Sequence, residues 1–263
     1  MINREFKVNL KSFIIWISIL ICMFLITYLI YPYIITDDAV KSLDEAMKVF
    51  PPEVLKAFNM DISTITTAYG WFKSEGFMYL LIITGIYSSM LGSSILLKEE
   101  NDKTIEYLGS LPIRRSKIIT NKIIVGMSYI IIMVLGLALF NFIALLLSGD
   151  FNQKEYFLLS FIPLLSSLPL FALNLFISTY MHKTKKVIGF SLGLVFLFYL
   201  LNILSELSTK VEFLKYFSVY TLCDTRNIIT NIKINPICII LSIMITVLLI
   251  ILSYIRYQKK ELV

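Results

Sequence analysis

Charged side chains are missing from six long stretches of this 263-residue chain: 13–35, 77–97, 123–147, 157–181, 187–204 and 236–255 contain no Asp, Glu, Lys, Arg or His. Each is an apolar run of the length, about 20 residues, that crosses some 30 Å of hydrocarbon as a helix. Only 16% of the residues are charged, where a soluble domain carries about a quarter. The absence excludes membrane strands as well. Spans of roughly 10 residues with alternating polarity would be needed for a barrel, and a lipid-exposed backbone must satisfy its own hydrogen bonds. The pattern predicts an all-α, polytopic membrane protein: a single transmembrane domain over 1–263 with six transmembrane helices. The first run exceeds a signal-peptide core and no small-x-small cleavage site follows Pro32, so it reads as a retained span.

Other absences narrow the function. There is one histidine, His182, set in a short basic stretch without an HExxH pattern, so neither a metalloprotease nor a histidine-activated nucleophile is at hand. No GxxxxGK[ST] loop occurs, so the chain holds no nucleotide by itself. No ionisable group lies within a run, which disfavours an ion-coupled secondary carrier, whose midplane sites need one. The three cysteines, Cys22, Cys223 and Cys238, form no disulfide framework and read as small apolar residues. Catalysis, cofactors and metals are therefore not expected of this chain.

The charges that are present lie between the runs. The net charge of +6 suggests nucleic acid at first sight, but topology accounts for it. With the N-terminus inside, fifteen of the 24 Lys and Arg fall in inner segments, and the first outer loop (36–76) sets seven acids against four bases. The positive-inside rule then puts both termini in the cytoplasm and the segments 36–76 and 205–235 outside. The first outer loop shows helix-like apolar spacing from Met47 to Phe58, suited either to a surface-lying helix or to a packed cap. The second, 205–235, has the mixed composition of a segment able to dip into the bilayer. Pro163 and Pro169 are expected to kink the fourth run.

Small residues recur at helical spacing. Gly85, Ser89 and Ser93 repeat every four residues, and Gly189 and Gly193 form a GxxxG; both patterns let helices approach closely, within the subunit or between subunits.

The inner segment 98–122 carries the densest charge. Within it Ile105, Leu108 and Leu111 make a short apolar stripe that Asn101 or Asp102 can cap and Pro112 ends. Physically this is either a solvated amphipathic loop or a docking peg for a cytoplasmic partner. Glu99-Glu100, Lys103-Thr104-Ile105-Glu106-Tyr107-Leu108, Leu111-Pro112, Arg115 and Lys122 resemble the segment between spans two and three of ABC type-2 transporter permeases. There an acid precedes Gly-Thr, a second acid, leucines around a Leu-Pro, then Arg and Lys; here Lys103 stands where that pattern has glycine.

The resemblance implies a coupling helix at 98–122 that seats in an ATPase, with Thr104, Ile105, Glu106, Leu108, Leu111, Pro112 and Arg115 as its contact residues. It further implies cytoplasmic ABC ATPase partners carrying ATP and Mg, and a second permease, identical or related. Membrane lipid surrounds the assembly in a bacterial cell membrane. Spans without charges favour an amphipathic or hydrophobic cargo, such as an antimicrobial peptide or a lipid, over a bare ion. A membrane-embedded sensor or assembly factor that binds an ATPase without transporting is the alternative, ahead of a secondary carrier.

Overall fold

Apolar runs become helices in a bilayer because no other open structure satisfies their backbone groups. The computed structural model describes residues 2–34, 36, 41–42, 45, 48–49, 67–104, 113–149, 151–207, 209–223 and 225–260. Among them the order is α1 (Ile2–Ile34), α2 (Ala68–Ile95), the single turn α3 (Lys98–Asn101), α4 (Arg115–Ser148), α5 (Gln153–Ser178), α6 (Thr184–Leu207), α7 (Thr225–Asn231) and α8 (Pro236–Lys259). Six of these, α1, α2, α4, α5, α6 and α8, are long and apolar enough to cross a membrane. No strand occurs among the described residues.

The helices outrun the apolar stretches. α1 starts at Ile2 and α4 at Arg115, because neither flank holds a Gly or Pro to break the ladder. Their ends follow local chemistry. The Thr67 hydroxyl accepts from the Gly70 N–H (3.0 Å) at the start of α2, and Asn235 Oδ1 accepts from the Ile237 N–H (3.0 Å) with Pro236 in the first turn of α8. Gly149 ends α4 at φ 139°, a conformation that glycine tolerates best. A π-helical turn, Phe72–Gly76, sits inside α2. α5 is interrupted at Ile162–Pro163 and resumes at Leu164, while Pro169 lies within its second half.

The expected surface helix from Met47 to Phe58 falls mostly outside the described residues. Segment 205–235 is folded: 3-10 turns at Thr209–Phe217 and Val219–Leu222 precede α7. Tyr220 is 1% exposed, and its side chain wedges against Gly85 of α2 and Tyr199 of α6.

α2 and α5 are the most buried spans, whereas α1, α6 and α8 present most of their surface outward. The centre is tight because small residues line it. A Cβ on Gly92 would collide with the Phe171 carbonyl, and one on Gly126 with the Phe171 ring. Ser89 and Ser93 of α2 are fully buried, and the Ser93 hydroxyl shares a hydrogen bond with Ser191 of α6. Gly189 and Gly193 behave differently: neither has a neighbour within 4 Å of where a Cβ would stand. Packing inside the subunit, one of the two uses the sequence left open for that GxxxG, finds no partner helix there.

Candidate functional site

Both chain ends gather at one end of the bundle, and the charges meet there in a way that sequence spacing did not foretell. Lys122 of α4 is 1% exposed. Its ammonium has three protons to donate and three groups to receive them: Glu99 of α3 (2.8 Å to each carboxylate oxygen), Glu5 of α1 (3.1 Å) and the Ile95 carbonyl at the end of α2 (2.8 Å). The carbonyl is one of the orphans every helix C-terminus leaves, at the negative end of the α2 dipole. Glu5 sits in the first turn of α1, where a carboxylate is favoured. α1 is held further by the Tyr129 hydroxyl, which donates to the Phe6 carbonyl (2.5 Å).

A second cluster adjoins the first. Glu100, next in sequence, accepts from Lys260 (2.7 Å) and lies 3.2 Å from His182 Nδ1. Lys260 also donates to the Met181 carbonyl (2.8 Å), just past the end of α5. Burial pushes the Lys260 ammonium below its ordinary range, while Glu100 pulls it back up. Arg115 donates to the Gln258 (3.2 Å) and Lys260 (2.8 Å) carbonyls, closing α4 onto the end of α8.

The four residues of α3 therefore divide the bundle among them. The Lys98 ammonium donates to the Val8 carbonyl of α1 (2.9 Å). Glu99 reaches α4 through Lys122, and Glu100 reaches the end of α8 and the exit of α5 through Lys260. The Asn101 amide donates to the Thr184 hydroxyl that opens α6. Since α3 follows α2 directly, this one turn is linked to five spans by sequence or side-chain contact, and to α5 through Lys260, which donates to the Ser178 and Met181 carbonyls.

The turn that leaves α3 has its own requirement. The Thr104 N–H donates to the Glu99 carbonyl (2.9 Å) and the Lys103 N–H to that of Glu100 (3.4 Å), the paired bonds of a Schellman motif. That motif needs a left-handed residue at its corner, and Lys103 supplies it at φ 54°. Glycine occupies this place in the permease pattern because it has no Cβ to strain.

Of the residues read from sequence as ATPase contacts, Thr104 closes this turn and Arg115 clasps the end of α8. Ile105, Glu106, Leu108, Leu111 and Pro112 lie outside the described residues. Of the packing residues, Gly85, Ser89 and Ser93 face the centre, and Gly189 and Gly193 face outward. Reading the 98–122 charges as a solvated face needs correction at Glu99, Glu100 and Lys122, which are all buried. Glu5 was missed outright. Its signal was its isolation as the sole acid ahead of the first apolar run.

Gly189-Phe-Ser-Leu-Gly193 also spells G-x-S-x-G, the pattern of a hydrolase nucleophile. Here Ser191 is in mid-helix, bonded to the Val187 carbonyl (2.8 Å) and to Ser93. A nucleophile elbow needs a sharp strand-to-helix turn, which is absent at Ser191. Cys223 is equally inert: burial pushes its thiol up to about 12, and it donates to the Ile162 carbonyl.

A family model described as ABC-2 family transporter protein matches residues 1–262. The chain belongs to the ABC-2 transporter family. It is thereby a membrane transport subunit and not a nucleotide-binding one, which agrees with six apolar helices. In this ABC-2 permease, Glu99, Arg115 and Lys122, among the residues on which the sequence resemblance rested, are those that tie α3 and α4 to the bundle. No curated protein and no solved structure matches the chain.

Proposed function

We propose that this permease is the membrane half of an ATP-driven exporter, with residues 105–112 as the surface that docks a cytoplasmic ATPase. The observation that carries the proposal is the position of α3. The docking segment leaves from a turn whose side chains are tied to α1, α4 and α6 and, through Lys260, to the ends of α5 and α8, and it returns at Arg115, which holds the end of α8. Motion delivered to 105–112 therefore enters all six helices together and not one loop. ATP and Mg belong to the ATPase. Two permeases, identical or related, complete the assembly, and a rigid-body shift between them opens the path alternately to each side. Spans without ionisable side chains favour an amphipathic or hydrophobic cargo, such as an antimicrobial peptide or a lipid. The reading places both termini and α3 in the cytoplasm, in keeping with the positive-inside rule.

The test is at Leu108, in the middle of the apolar stripe. Leu108→Asp should abolish co-purification of the ATPase while leaving membrane insertion intact, because a well-buried anchor contributes most of such binding. Lys185→Asp, a comparable change in another inner turn, should leave recruitment in place. Normal recruitment by Leu108→Asp would remove the docking role.

A further inference from the structure

We infer that Arg4, Lys7 and Lys11 form a binding stripe for anionic phospholipid headgroups, set in place by the buried Glu5–Lys122 pair. The inference stands apart from the exporter reading and rests on the register of α1. At 3.6 residues per turn, positions 4, 7 and 11 fall within about 60° of one another. All three are exposed, whereas Glu5 and Asn9 on the opposite face are buried. Glu5 is the sole acid of α1, and it is turned inward onto Lys122, so no carboxylate on this helix offsets the stripe. Among the described residues none pairs with Arg4, Lys7 or Lys11, and the Lys98 ammonium adds a fourth charge beside them at the Val8 carbonyl.

The same azimuth identifies the occupant. Following the stripe up α1, the exposed residues become Ile15 (50%), Leu25 (43%) and Leu29 (63%). A face that is apolar through the hydrocarbon and turns basic at its edge matches a lipid molecule along its length. The depth agrees. Taking Phe13 as the hydrocarbon boundary and about 1.5 Å per residue, Lys11 lies about 3 Å and Lys7 about 9 Å beyond it. The headgroup layer is roughly 5–8 Å deep on each side. Lys7 lies just past that layer and Arg4 farther out, and their long side chains can reach back toward the phosphate plane. Each cation near an anionic surface raises affinity by about fivefold at low salt.

The experiment uses the full-length permease extracted from vesicles of equimolar phosphatidylglycerol and phosphatidylcholine, with retained lipid read by native mass spectrometry. Wild type should retain phosphatidylglycerol preferentially, and the preference should fade at high salt. Lys7→Gln/Lys11→Gln should lose it by about 25-fold, and Lys7→Arg/Lys11→Arg should keep it. Salt dependence of the wild type tests the proposal even if the glutamine variant folds poorly. Equal retention of both lipids by wild type, or undiminished preference in a folded glutamine variant, would overturn the proposal. So would a glutamine variant that keeps its lipid but loses the ATPase, since the stripe would then face a protein.

Discussion

Lys122 and Glu5 stand 117 positions apart in sequence and 3.1 Å apart in space, in a site from which water is excluded. That pair, with Glu99 on the other side of the ammonium, fastens the first span to the third at the end that holds α3. Removing one member of a buried ion pair leaves the other charged and unpaired, which costs about 3–5 kcal/mol. Lys122→Ala should therefore lower the thermal midpoint of the purified permease sharply. Glu5→Gln should be milder, because a neutral amide still offers Lys122 an oxygen. Lys122→Arg, which keeps a cation facing Glu5, Glu99 and the Ile95 carbonyl, should retain more of the stability than Lys122→Ala, and an equal loss in the two would show that the pairing itself is unimportant.

Lys103 gives the opposite sign. It occupies a left-handed corner at φ 54° that the rest of the α3 turn requires. Replacing a side chain by glycine there relieves strain of about 1 kcal/mol, partly offset by the greater freedom of glycine in the unfolded chain. Lys103→Gly should raise the melting temperature slightly and leave the ATPase bound. A fall in melting temperature would mean that the lysine side chain contributes more than the corner costs.

Four glycines separate into two classes. Gly85 and Gly92 face the packed centre, and Gly189 and Gly193 face outward. Gly92→Leu should prevent folding of the subunit. Gly193→Leu should leave the melting of an isolated subunit unchanged and act only where a second chain packs against α6. Cross-linking and melting measured on the same samples distinguish the two, and a destabilised monomer in Gly193→Leu would contradict the placement of α6.

The spans were legible because an uncharged run of bilayer length admits one backbone solution. The close approach at Gly85, Ser89 and Ser93 was legible for a similar reason: small side chains at a spacing of four can only matter on one helix face. The ion network was not. Glu99, Lys122 and Lys260 look like ordinary interfacial charges, and burying them takes partners 23 and 160 positions away, which no local pattern announces. The trace they leave is the acid, Arg and Lys of the permease signature. It marks the segment 98–122 in the sequence but says nothing of which charges turn inward.

The same network brings Glu5 and Lys260 to the end that holds α3, and the positive-inside rule predicts that this end is cytoplasmic. Cysteine tags at Lys117 and Lys185 should react only from the cytoplasm, and tags at Tyr216, on the far end, only from outside. A tag at Lys185 that reacts from outside would invert the assignment.

The central claim is that α3 conveys ATPase motion to the whole bundle, and it is tested by following the far end while the ATPase cycles. Spin labels at Leu147 and Tyr216, both well exposed, report the separation of α4 from the segment after α6. In the assembled complex, trapping the ATPase with ATP and vanadate should shift that distance. In Glu99→Gln, with the ATPase still bound and still hydrolysing ATP, the shift should vanish, and Glu99→Asp, which keeps the carboxylate, should retain part of it. A full shift in Glu99→Gln would show that the motion reaches the spans by another route.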